Sequence, residues 1–382
     1  MESARSQTGQ PYVSDNHSRN HSGRTPYASR LAKGIAPQAD TEHRTAQPRG
    51  IIAIDKQGDS VLFLDPTSFS TVKTLKDFPT LPHELALTPD LTFAYIPAYG
   101  DGAHGDNPHP NHIISVVDLA TRQRVADIDI HPFESPHTLR FGPDNLLYVC
   151  CENSHSVVVI DPRENRVVGA IDTGSTNTHR LTILPTHRTL WTENEEDGSL
   201  TVIDLDHRKA IASIVLPHAI AGIAVDPSET FVVAVDADAP QLFIIDVATK
   251  KLTRTITLDG HSKGSQVARF STDGQHLLVI GDHEPLVTLF SARSDRRTDT
   301  RTLSESDAYS STRSVCLFDH DTYEQLRIEV GNKPMDAAFS LDGETLVVAN
   351  EDDATLSVID LRSRCVINTV SAGKGCETLA YF

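Results

Sequence analysis

The chain has 382 residues, 38% of them hydrophobic and 6% aromatic, and a formal net charge of −18 at pH 7. An acid surplus of this size repels phosphate backbones, which argues against nucleic acid as a partner. No stretch of about 18 apolar residues is present to cross a membrane as a helix.

Residues 1–49 are rich in Ser, His, Arg and Asn without apolar periodicity, so a disordered polar tail is expected there. The tail holds seven basic and four acidic residues, which leaves −21 for the rest of the chain. It lacks the apolar segment of a secretory signal, and Glu2, Asp15, Asp40 and Glu42 are out of character for a transit peptide. The sequons at Asn16 and Asn20 then read as chance matches. The five cysteines, Cys150, Cys151, Cys316, Cys365 and Cys376, are odd in number and form no CxxC pair. Reduced thiols and a cytoplasmic protein are expected.

From residue 50 the chain becomes repetitive. An apolar run rich in Val, Ile and Leu and closed by Asp returns seven times, at Asp65, Asp118, Asp161, Asp204, Asp246, Asp319 and Asp360, with spacings of 53, 43, 43, 42, 73 and 41 residues. The basic period is therefore about 42 residues, interrupted by two insertions. Each signature leads through a turn into a second strand such as PRENRVVGAIDTG. A third follows, such as TLRFGPD, and then a fourth, such as LLYVCCE. Four short strands per period of this length match a β-propeller blade. Because the Asp recurs all round the ring it reads as structural, an acceptor for turn amides.

The chain ends complete the count. CETLAYF (376–382) supplies an innermost strand with nothing after it, and GIIAID (50–55) a second strand with nothing before it. The expected fold is all-β: a seven-bladed β-propeller over 50–382, closed by pairing the C-terminal strand with the N-terminal strands, which removes open sheet edges. The insertions, 98–112 and about 284–313, align between second and third strands and are expected on the channel-mouth face. The first brings Tyr99, His104, His109 and His112, which could complete a site or form a lid.

LPHELALTPD (81–90), SPHTLRFGPD (135–144) and NTHRLTILPT (177–186) each place a His at the start of an innermost strand. Aligning the blades puts Glu377, His83, His137 and His179 at this point in four consecutive blades, and Ala221, Gln266 and Met335 in the other three. Three imidazoles and a carboxylate suit a divalent transition metal, so His83, His137, His179 and Glu377 are the candidate ligands. The competing reading is a repeat habit, copied by duplication and used only for hydrogen bonds between blades. Glu152 and Glu193 end strands that flank the His137 and His179 blades and are candidate general acid–base groups. Arg180 could hold a substrate carboxylate or pair with Glu193.

VVANEDDATLSVIDL (347–361), followed by VINTVSAG, resembles the YVTN-repeat seven-bladed propellers, relatives of the lactonase-type seven-bladed proteins. The resemblance covers residues 50–382. It implies the fold and, at the family level, lactone hydrolysis. A likeness to carotenoid-cleaving propellers, which hold iron with four inner-strand histidines, is architectural only. The fourth His is missing here, and His218 lies three positions too early to replace it. Two functions are therefore expected from different classes. One is a small-molecule enzyme at the channel mouth, metal-dependent through the His cluster, with lactonase-like hydrolase or isomerase, lyase or oxygenase chemistry. The other is a ligand-binding or protein-interaction scaffold without catalysis.

Overall fold

The computed structural model describes residues 49–101, 107–292 and 323–382. The polar tail 1–48, His104, Cys316 and Asp319 lie outside these residues. Seven four-stranded antiparallel sheets make up the fold. The chain begins in the closing blade with β1 (Ile51–Asp55), β2 (Ser60–Leu64) and β3 (Thr71–Leu75). The next blade holds β4 (Ala86–Leu87), β5 (Phe93–Pro97), β6 (Ile113–Asp118) and β7 (Gln123–Asp129). The following blades comprise β8 (Pro136–Phe141) with β9 (Leu147–Cys151), β10 (Ser156–Asp161) and β11 (Arg166–Asp172), then β12 (Arg180–Leu184) with β13 (Thr189–Asn194), β14 (Ser199–Asp204) and β15 (Lys209–Val215). After them come β16 (Ile220–Val225), β17 (Phe231–Asp236), β18 (Gln241–Asp246) and β19 (Lys251–Thr257), then β20 (Val267–Phe270), β21 (His276–Ile280), β22 (Leu286–Ala292) and β23 (Tyr323–Glu329). β24 (Pro334–Phe339), β25 (Thr345–Asn350), β26 (Thr355–Asp360) and β27 (Cys365–Ser371) form the last whole blade, and β28 (Cys376–Tyr381) returns to pair with β1.

The burial pattern explains the sequence pattern. Second and third strands are covered on both faces by neighbouring blades and read as continuous apolar runs, such as LYVCC in β9. Fourth strands face solvent on the rim, and β11 and β15 bury few of their seven residues. Apolar clusters sit between blades. Trp191, Val202 and Leu200 pack on Val232, Ala234 and Phe243 of the next blade, and Ile52, Phe63 and Phe382 pack on Leu85 and Ile96. The second of these clusters closes the ring, backed by Phe382 edge-on to Phe63 at 5.9 Å and by Arg49 N–H donating to the Phe382 carbonyl at 2.6 Å.

The signature aspartates cap turns as expected. Asp118 accepts from Thr121 N (2.8 Å), Asp161 from Arg163 N (2.9 Å), Asp246 from Thr249 N (2.7 Å) and Asp360 from Ser363 N (2.5 Å). The β20–β23 blade departs from the expected alignment. Its third strand is LVTLFSA (β22), not the later VCLFD run ending at Asp319. The long connection is therefore 293–322 between third and fourth strands, not 284–313 between second and third. β22 ends and β23 begins at the face away from the histidines. The segment itself lies outside the described residues. Insertion 98–112 does follow a second strand, β5, and its described residues lie on the His-bearing face.

Candidate functional site

Some innermost strands begin with a register irregularity, as between Pro136 and Leu139 in β8 and between Pro334 and Asp336 in β24, whereas β4 and β12 show none. A bulge of this kind re-aims side chains. Backbone bonds pin the flanking residues: His83 N–H donates to the Pro97 carbonyl (3.0 Å) and His179 N–H to the Glu193 carbonyl (3.1 Å). The result brings three imidazoles from three blades together. His83 Nε2 lies 2.6 Å from His137 Nε2, and His137 Nε2 lies 3.0 Å from His179 Nε2. The rings meet edge-on, at interplanar angles of 73° and 60°. All three are buried.

Two of the imidazoles turn their other nitrogen to a close carboxylate, whereas His137 Nδ1 meets Thr138 Oγ1 at 3.2 Å, ahead of Glu84. His83 Nδ1 is 2.9 Å from Glu377 Oε2, His179 Nδ1 is 3.2 Å from Glu193 Oε2, and His137 Nδ1 is 3.6 Å from Glu84 Oε1. A carboxylate in this position favours the tautomer with the proton on Nδ1, which for His83 and His179 leaves the Nε2 lone pair directed inward. Glu377 is thus behind His83 rather than beside the three Nε2 atoms, and the same Oε2 also meets Lys56 Nζ at 2.9 Å. The carboxylate nearest a converging nitrogen is Glu152, whose Oε1 is 3.8 Å from His179 Nε2. Glu152, His179 and Glu195 offer ligand atoms that all lie within 4.8 Å of one another. Tyr99, from the insertion, donates its hydroxyl to Glu152 Oε2.

The electrostatics follow from burial. Burial holds His83 below its ordinary pKa, although Glu377 pulls the other way, so its ring is neutral at pH 7. Burial alone would raise Glu84, but Arg180, Arg140 and Arg269 outweigh it and bring its pKa down to about 2. Glu377 is likewise lowered against the cost of burial, by His83 and Lys56. Burial and Glu152 push the Tyr99 phenol up, so it remains a donor. Arg180 does not point its guanidinium at Glu193. Nη1 pairs with Glu84 Oε1 at 2.5 Å, and only the backbone N–H of Arg180 reaches Glu193 Oε2, at 2.9 Å.

Other candidates fall elsewhere. His109 is exposed beside Asp101, and His112 faces Asp129 at 4.0 Å. His218 pairs with Asp236 at 2.6 Å and is half-exposed. On the opposite side of the ring Glu351 is held by Lys333 and Gln57. Sequence reasoning passed over Glu84 and did not single out Glu195. The signal for Glu84 was a charged residue at an innermost-strand position one past His83.

Imidazole nitrogen and carboxylate oxygen are donor types that a divalent transition metal takes. Metal–imidazole bonds of about 2.0–2.1 Å put neighbouring ligand nitrogens about 3.0–3.4 Å apart. The His137–His179 separation of 3.0 Å meets this, and the His83–His137 separation of 2.6 Å is tighter. His137 Nε2 lies against both of the other Nε2 atoms, and one nitrogen cannot serve two neighbours with a single proton.

No protein-family sequence pattern matches the chain, and no curated protein matches it. Among solved structures it is similar to the hydrazine synthase of Kuenenia stuttgartiensis, with TM-score 0.57 and 16% identity over 78% of this chain and 89% of that one. It is also similar to a functionally unknown protein from Desulfotomaculum acetoxidans DSM 771, with TM-score 0.67 and 11% identity over 87% and 98%. At these identities the likeness speaks for the fold alone. Among the described residues no helix is long and apolar enough to cross a membrane.

Proposed function

We propose that the protein is a metal-dependent enzyme acting on a small molecule on the axis of the propeller. His83, His137 and His179 would hold the metal through Nε2, with Glu152 as the adjoining carboxylate. The observation that carries this reading is the approach of three buried imidazole Nε2 atoms from three blades, 2.6 Å apart between His83 and His137 and 3.0 Å between His137 and His179. A bound divalent metal polarises a carbonyl and lowers the pKa of water. The chain's own groups do the rest. Tyr99 holds Glu152 in place, Glu193 and Glu377 orient His179 and His83, and Glu195 stands beside His179 Nδ1 at 3.4 Å as a proton acceptor. Lys56 and Glu195 are the most exposed members, at 19% and 14% of their side chains, so a substrate approaches past them.

Hydrolysis of a lactone is the reaction favoured by the resemblance to YVTN-repeat and lactonase-type propellers. Isomerase, lyase or oxygenase chemistry would use the same donor set. The second reading, a scaffold or ligand-binding propeller, draws on the near-complete burial of the three imidazoles. The free thiols of Cys150, Cys151, Cys365 and Cys376 suit a reducing compartment, in keeping with a cytoplasmic site of action, and the acidity of the ring disfavours nucleic acid.

The test uses full-length protein free of any His tag. Elemental analysis is expected to find one transition metal per chain, absent in His137→Ala and retained in His218→Ala. Glu377→Gln, which keeps the ligands, is expected to weaken metal binding about 10–100-fold. Metal-free protein whose melting temperature ignores both chelator and His137→Ala supports the scaffold. Turnover of a lactone panel by the loaded protein then separates catalyst from structural metal site.

A further inference from the structure

The innermost strands carry a second constellation beyond the histidines, towards the opposite mouth. Glu84, Arg140, Arg180, Arg269 and Asp336 lie on β8, β12, β20 and β24 or just before β4, and all face the axis. Their charges do not balance. Asp336 takes Arg269 in a two-pronged pair at 2.8 and 2.6 Å. Glu84 takes Arg180 at 2.5 Å. Arg140 keeps one hydrogen bond, from Nη1 to the Leu139 carbonyl at 2.8 Å, and a distant Glu84 Oε2 at 3.7 Å. Burial and the neighbouring Arg269 bring its pKa down to about 10, the mark of a cation short of anions.

Arg140 also faces open space. A cavity of 290 Å³ opens at this end of the channel, and among the described residues Arg140 and Arg269 are its charged lining residues. Its walls are otherwise mostly apolar, with Phe270, Phe339 and Leu379 prominent and Leu341 exposed at the rim. An unbalanced guanidinium at the end of an apolar recess matches a ligand with one carboxylate and a hydrocarbon body. The size is at the lower end of small-molecule sites, about 300–1,000 Å³, which favours an aryl or short-chain acid.

We propose that this cavity is a binding site for a small apolar monocarboxylate, with Arg140 as the residue that recognises the carboxylate. The site is separate from the histidine cluster and does not depend on a metal there. Calorimetric titration of the full chain with phenylacetate and with octanoate tests it, with the corresponding amides as neutral controls and acetate as the control without a hydrocarbon body. At least one of the two acids is expected to bind saturably in the millimolar range or tighter. Its amide and acetate should bind at least about tenfold more weakly, since a charge-assisted hydrogen bond contributes about 1.5–3 kcal/mol and 1.4 kcal/mol is tenfold. Arg140→Gln should lose the same factor, and Leu341→Trp, at the exposed rim, should block the mouth without entering the core. His137→Ala should bind the acid as the parent does, whatever its metal content. Equal binding of acid and amide, binding untouched by Arg140→Gln and Leu341→Trp, or no saturable binding of either acid would overturn the proposal.

Discussion

Glu84 is a carboxylate on the axis where an apolar residue would cost no desolvation, so its contacts must repay its burial. It does so by lying between Arg180 at 2.5 Å and His137 Nδ1 at 3.6 Å. Removing one partner of a buried pair leaves the other charge stranded, at a cost of about 3–5 kcal/mol. Glu84→Gln keeps the shape and some hydrogen bonding, so a loss of about 3 kcal/mol in urea unfolding is expected. A change under about 1 kcal/mol would mean that water already solvates Arg180 and Arg140. At this scale the sequence told part of the story. The histidines were legible because the repeat supplied an alignment in which they stood out. Glu193 was singled out too, but Glu84 and Glu195 were harder to read, because they acquire their roles only when blades meet. Arg180 shows the same limit: its neighbour in the pairing is 96 residues away.

The signature turn is the element on which the blade count rested. Six of these turns have a residue in the left-handed region four places after the Asp: Phe69, Arg122, Asn165, Arg208, Lys250 and Arg364. The conformation costs an ordinary L-residue about 1–2 kcal/mol and is easiest for Gly and Asn. Lys250→Asn, at φ 56° with no ion pair to lose, is expected to raise the urea midpoint by an amount worth about 0.5 kcal/mol. An unchanged or lowered midpoint would show that the Lys stem packs usefully there. A register shift recurs between third and fourth strands just before the turn, as at Val159/Ile160 and Val358/Ile359. The β22–β23 pair has no shift and no signature Asp, and this is the blade whose alignment was misread. LVTLF and VCLF are equally good strands by composition, and the Asp favoured the later one. Apolar run length cannot choose between two such runs. The ladder does.

Over the whole molecule, the axial charges set how stability responds to acid. Glu84 falls from an ordinary 4.5 to about 2 in the folded state, and Glu377 moves in the same direction. Between the two values the unfolded chain binds the proton first, so the folded state weakens as pH falls through this window. His83 adds to the effect from below its ordinary 6.5, because the buried ring stays neutral while the unfolded one charges. Urea midpoints should therefore decline steadily from about pH 7 to about pH 3. A flat profile would contradict the buried placement of these groups. Ring closure has its own probe. Phe382 is 3% exposed and packs on Phe63, so Phe382→Ala should cost about 3–5 kcal/mol in the same assay. Closure was readable from the sequence because both partial blades had missing strands that the other end supplied. The axial cavity was not, since a void is a property of seven strands together.

The pairing of β28 with β1 also dictates an order of events at the ribosome. Residues 376–381 are made after every other blade, so the edge of β1 waits bare while six sheets assemble beside it. A bare edge invites pairing with other chains, and the danger lasts until the final strand arrives. That strand carries Glu377, the carboxylate that steadies His83. Completion of the histidine cluster and its carboxylates is thereby deferred until translation has passed the last blade.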